Sequence, residues 1–200
     1  MVKLKLSFLI NDKEILTIGQ LDRESKVKIK KSNNKTKARK EEYHMKKSEY
    51  SALDIAKYIV DYTRDTGSEM TNLKLQKLLY FIEAKFMKEN KGASLFYNEL
   101  EAWDYGPVVE EVYSYYKGNV NRPISFNFSS KVEFTQEEEK TIKEVVDHFR
   151  DIDQWTMVKR THEEGGPWVE YYKPEIKPII PKKAVRNYYR NRDVLVEEQS

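Results

Sequence analysis

Residues 72–89, NLKLQKLLYFIEAKFMKE, limit what this chain can fold into more than any other segment. Leu75, Leu78, Leu79, Ile82 and Phe86 fall at i, i+3, i+4, i+7 and i+11, one continuous face of an α-helix. Thr71 is placed to cap its first turn, and Gly92 ends it. Five such side chains contribute roughly 1.5–3 kcal/mol each when buried, so the rest of the chain must be built against this face.

The neighbouring segments read as shorter helices. Ser51 and Asp54 form a capping pair ahead of Ile55, Tyr58, Ile59 and Tyr62, with Thr66-Gly67 as the stop. Residues 95–106 mix aromatics and acids in near alternation, which predicts a short strand with Leu100, Ala102 and Asp104 on one side and Glu101, Trp103 and Tyr105 on the other. Gly106-Pro107 is expected to reverse the chain and launch a helix with Val108, Val112 and Tyr115 on one face. Thr135 and Glu138 form a capping box before Ile142, Val145, Val146 and Phe149. Asp153 opens a helix through Trp155, Val158 and Lys159, Pro167-Trp168 opens a short one, and Pro181 starts the last, through Val185, Tyr188 and Tyr189. The fold class is mainly α, a compact helical domain with one short extended segment.

Ahead of this body the character changes. Val2, Leu4, Leu6 and Phe8 alternate with Lys3, Lys5 and Ser7, and Glu14–Ile18 follow a turn at Asn11-Asp12, which predicts a small β-hairpin in residues 1–25. Residues 26–45 read as a basic linker, with eight basic residues and no acid between Lys26 and Lys40. Residues 46–200 form the helical domain. Such a basic stretch suits either a solvated connector or a phosphate backbone.

The absence of Cys excludes disulfides, thiolate metal sites and cysteine nucleophiles. No apolar run approaches the roughly 18 residues of a membrane span, and Asn11, Asp12 and Lys13 cut short the apolar opening, so the chain is read as cytoplasmic with no membrane partner. There is no phosphate-binding glycine loop, no GxSxG elbow and no HExxH pair. His44, His148 and His162 lie on separate segments without ligand spacing, and Glu99, Glu101, Asp104 and Lys117 lack a second strand to gather them into a metal site. No catalytic residue, cofactor or metal is therefore expected. His162 precedes Trp168 closely enough for the two rings to pack, a structural role. Most aromatics sit at helical spacing beside aliphatics and read as core or interface, Tyr58, Tyr80, Tyr115 and Trp155 among them.

Three segments in this order, NLKLQKLLYFIEA (72–84), ELEAWDYGPVVEEVYSYYK (99–117) and THEEGGPW (161–168), resemble the Panacea domain of SocA-like antitoxins and of the phage-associated GepA group. The resemblance is carried by Leu75, Gln76, Lys77, Leu78, Leu79 and Tyr80; by Ala102, Trp103, Tyr105, Gly106, Pro107 and Val108; and by His162, Pro167 and Trp168. It implies a non-enzymatic helical module that neutralises a toxin by binding it. In some members it implies an adaptor that hands the toxin to a ClpXP-type protease, and it points to a prophage or mobile-element origin. Partner contacts are expected either on the edge of the N-terminal hairpin or around Trp103, Tyr105, Tyr115 and Tyr116. The alternatives are a nucleic-acid-binding regulator using residues 26–40, and a phage interaction protein with a host target.

If the boundary lies at residue 45, a chain beginning at Met45 should unfold in one cooperative, largely helical transition by circular dichroism. A molten or unfolded product would place part of the core in the N-terminal residues.

Overall fold

The computed structural model describes residues 7–10, 14–17, 50–64, 70–119, 122–124 and 132–196. The chain divides into two units, Met1–Met45 and Lys46–Ser200. In the first, β1 (Ser7–Ile10) and β2 (Glu14–Thr17) pair antiparallel with Phe8 opposite Leu16. The expected basic stretch at 26–40 lies outside the described residues, as does the Thr66-Gly67 stop.

The second unit is built around α2 (Asn72–Glu89), which follows α1 (Ala52–Thr63). Both predicted caps form. Ser51 and Asp54 exchange side-chain and backbone hydrogen bonds, and Thr71 Oγ1 accepts from Lys74 N at 3.2 Å. The end of α2 turns through Lys91 (φ +54°) and Gly92 (φ +91°). The turn needs glycine for its conformation, and a Cβ on Gly92 would also push the Arg186 side chain aside.

Helix α2 is buried on every side rather than along one stripe. Leu75, Leu78, Leu79, Tyr80, Phe81 and Ile82 are all sealed, and so are Gln76, Lys77 and Glu83. Around it pack α1, α3 (Glu110–Tyr115), α4 (Gln136–Phe149), α5 (Gln154–Thr161), α7 (Lys182–Tyr189) and the small sheet. The capping box at Thr135 and Glu138 forms, and Ile142, Val145, Val146 and Phe149 face inward as their spacing predicts. Phe149 stacks on Phe81 at 4.8 Å, with the Arg160 guanidinium over both rings.

The sheet has the order β4-β3-β5, all antiparallel, with β3 at Leu100–Trp103, β4 at Gly106–Val108 and β5 at Ile179–Ile180. The predicted strand alternation holds for Leu100 and Ala102, which are buried, and for Glu101 and Trp103, which are half-buried. Beyond Trp103 the chain departs from the expectation. Asp104 and Tyr105 make the reversal, Trp103 pairs with Gly106, and Gly106-Pro107 runs back as an edge strand instead of starting a helix. An edge tolerates Pro107, which has no N–H to give. The helix is delayed to Glu110, and its buried face is Val109, Val112 and Tyr116, leaving Tyr115 42% exposed. In α5 the buried residues are Met157, Arg160 and Thr161, so Trp155, roughly 200° away around the helix, is 55% exposed. The short helix at the third motif, α6 (Pro167–Tyr171), forms as expected with Pro167 in its first turn.

The delay of α3 has a cause in α2. Lys77 Nζ donates to Pro107 O at 2.8 Å, and Gln76 Oε1 accepts from Val109 N at 2.9 Å. Gln76 Nε2 donates to Asn72 Oδ1, and Asn72 Nδ2 donates to Tyr113 O, each at 3.1 Å. Three polar positions on the central helix thus grip the backbone from Pro107 to Tyr113. Gly106, at φ +101°, lies directly beneath: a Cβ there would meet Thr161 Oγ1 at 2.5 Å and Lys77 Nζ at 2.8 Å.

Two measurements test this grip. Gly106→Ala imposes a backbone conformation that costs about 1–3 kcal/mol by itself, before the clash, and should lower the urea midpoint accordingly. For Lys77, burial drives the pKa well below its ordinary 10.5. Between those two values the unfolded chain holds the extra proton, so this residue makes stability rise with pH and then level off above 10.5. Tyr58 and Tyr116, pushed up to about 12 mainly by burial, act in the opposite sense only above their ordinary 10.0. Denaturation of the wild type and of Lys77→Met from pH 7 to about 9.5 should therefore show a shallower rise, or a fall, in the variant. Parallel curves would mean that Lys77 keeps its proton in the fold.

Candidate functional site

The three sequence motifs, far apart in the chain, meet at the β3–β4 hairpin. Leu75, Leu78, Leu79 and Tyr80 supply the core beneath it, with Tyr80 edge-on to Phe81 at 5.3 Å. Gln76 and Lys77 grip its return strand, where Gly106, Pro107 and Val108 are all buried. From the third motif, Trp168 Nε1 donates to Trp103 O at 2.8 Å. His162 lies against the Trp168 ring at 3.6 Å between centroids, and its Nδ1 donates to Val158 O at 2.6 Å. These contacts set the imidazole as a wedge behind Trp168. Tyr172 stacks on Trp168 at 4.4 Å, and its hydroxyl donates to Asp104 Oδ1 at 3.0 Å, which raises the phenol's pKa. The hairpin tip is therefore held from both strands and from its loop.

What the hairpin presents is a cleft of about 450 Å³ between its tip, the start of α2, the start of α5 and the segment 175–177. Trp103 and Tyr113 pack at 4.7 Å on one side, and Tyr105 meets Trp155 edge-on at 5.6 Å on the other. Tyr105, Trp155 and Ile176 are 60%, 55% and 58% exposed, large apolar groups facing water around one opening. Gln154, at the floor, is hydrogen-bonded by the hydroxyl of Thr71, which ties the start of α5 to the cap of α2. Trp103 is oriented by its indole N–H, which donates to Glu101 Oε2 at 2.8 Å, and Lys177 Nζ sits 3.4 Å from its ring centroid.

Of the four aromatics expected as partner contacts, Trp103 and Tyr105 line this cleft. Tyr115 does not; it lies on α3 against Tyr116, with the Lys57 ammonium 5.1 Å from its ring. Tyr116 is a correction. It is fully buried, its hydroxyl has no hydrogen-bond partner among the described residues, and no partner can reach it without opening the core. Trp155 and the 175–177 segment were not legible as site residues. The α5 sequence allows Trp155 on either the buried or the open side of the helix, and residues 175–177 carry no local signal.

Among the described residues no group of three or more His, Asp or Glu is placed to hold a metal, and no helix is long and apolar enough to cross a membrane. The cleft brings together aromatic walls, two exposed carboxylates and one ammonium, a set that binds by packing and charge.

The model of the family described as antitoxin SocA-like, Panacea domain, matches residues 75–169, from Leu75 in the α2 motif to the residue after Trp168. Antitoxin SocA of Caulobacter vibrioides (strain NA1000 / CB15N) is 30% identical over 128 residues, covering 58% of this chain and 68% of that protein. No solved structure matches the chain. The matched span takes in the second and third motifs whole and the first from Leu75 onward, and on this likeness the chain belongs to the SocA-like antitoxins of the Panacea domain family.

Proposed function

We propose that this protein is an antitoxin that neutralises a cognate toxin by binding it directly, without catalysis, through the aromatic cleft at the β3–β4 hairpin. Membership of an antitoxin family supports the class of function. The observation that carries the docking site is the ring of exposed Tyr105, Trp155 and Ile176 around an opening whose walls are held by buried hydrogen bonds. Exposed aromatic side chains on a rigid frame are what partner hot spots are made of, because they bury large area at small entropic cost. A nucleic-acid partner is disfavoured at this opening, whose rim carries Asp104 and Glu175. An adaptor role toward a ClpXP-type protease is a further step on the same complex, and the site of action is the cytoplasm.

Among the described residues the side chains of Tyr105 and Trp155 make ring contacts with each other and no hydrogen bond, so their removal separates binding from folding. Trp155→Ala should weaken the complex with the cognate toxin by at least about 2 kcal/mol, roughly 30-fold in Kd, with an unchanged thermal midpoint. The double variant Tyr105→Ala/Trp155→Ala should fail to rescue growth. Rescue by the double variant, combined with loss of rescue on deleting residues 1–20, would move the interface to the N-terminal hairpin. Toxin that disappears from cells only when the protease is present would add the adaptor step.

A further inference from the structure

The cleft already contains a cation, supplied by the chain itself. Lys177 Nζ stands 3.4 Å from the Trp103 ring centroid, close enough for the ring's negative face to attract it. The ring cannot turn away, because Glu101 holds its N–H and Tyr113 packs against it. Lys177 itself is exposed and comes from an exposed run, residues 173–177, in which Glu175 adopts φ +63° and a single bridge joins Lys173 to Ile176. A rigid acceptor thus faces a donor on an exposed segment.

The charges around it are unbalanced. Lys177 is the one basic residue among those lining the cleft, whereas Asp104 and Glu175 both line it, are exposed, and form no ion pair among the described residues. The cleft therefore presents a fixed indole face, flanking carboxylates and apolar walls from Tyr105, Trp155 and Ile176. We propose that it recognises an arginine side chain in an apolar docking segment of the partner protein, which replaces Lys177 on Trp103. This rests on the cleft being the docking face. A guanidinium suits the place better than an ammonium: it is planar, so it stacks on the indole, it sheds water more readily, and its fork pairs with carboxylates. Lys177 is then a placeholder that keeps the indole face covered until the partner arrives.

The probe is the blocked heptapeptide Gly-Ser-Leu-Arg-Leu-Ser-Gly, compared with the same peptide carrying citrulline, which keeps the shape and removes the charge. Binding to the full chain is followed by the indole N–H signals of Trp103 and Trp155 in NMR. The arginine peptide should bind about tenfold more tightly than the citrulline peptide, and the difference should shrink as salt is raised. Lys177→Gln, an exposed substitution that leaves the hydrogen bonds of the hairpin intact, should tighten the arginine peptide several-fold and leave the citrulline peptide unchanged. Equal binding of the two peptides, no binding, or weaker arginine binding in Lys177→Gln would each overturn the proposal. Rescue assays keep the two readings apart. Rescue lost in Tyr105→Ala/Trp155→Ala with no arginine preference retains the docking face and rejects arginine; arginine preference with rescue intact does the reverse.

Discussion

Everything in the helical unit depends on burying one helix that is not apolar all round. Helix α2 takes Gln76, Lys77 and Glu83 into the interior along with its leucines. A buried amide, amine or carboxylate is tolerable only where it finds hydrogen-bond partners. The partners come from the backbone of the hairpin for Gln76 and Lys77, and from Leu95 N at 2.9 Å, Lys182 Nζ at 3.0 Å and the Ser94 hydroxyl for Glu83. The helix therefore does more than fill the core. Its polar positions dictate where the β3–β4 hairpin and the start of α7 must lie, because any other placement strands a polar group in a dry interior.

This arrangement divides the labour between motif and surface. Of the residues that carry the family resemblance, Leu75 to Tyr80, Ala102, Gly106 to Val108, His162, Pro167 and Trp168 are scaffold: they form core or clasp backbone. The side chains that meet solvent around the cleft, Tyr105, Trp155 and Ile176, stand on that scaffold without contributing to its hydrogen bonds. Trp103 belongs to both groups. Its carbonyl is held by Trp168, while its ring forms a wall of the cleft.

Periodicity made the long helix, the capping boxes at Ser51 and Thr135 and the inward faces of α4 and α7 legible in the sequence, because each is decided within a few turns. It failed where a distant group overrides local preference. Pro107 next to a valine pair reads as a helix start, but the side chains of Gln76 and Lys77, about thirty residues earlier, hold that backbone extended. Trp155, Val158 and Lys159 share a helical face as plausibly as Met157, Arg160 and Thr161 do, and only the position of α2 selects the second set. Strand β5, two residues long, has no pattern to read. The cleft was hidden for the same reason: its walls come from four separate stretches of chain, and two of them, at 154–155 and 175–177, lie in no recognisable motif.

The order in which α2 meets its partners has a consequence for synthesis. The helix is made early, yet Glu83 is answered by Lys182, and Arg160, which covers Phe81 and Phe149, donates to Val194 O at 2.9 Å. During translation the central helix, buried along nearly its whole length in the finished fold, must wait with one flank uncovered until the last helix and the residues after it have emerged. A nascent or prematurely ended chain lacking those residues exposes that flank to chaperones and proteases. The level of intact protein is then set by how reliably translation reaches its final stretch as well as by the stability of the finished fold.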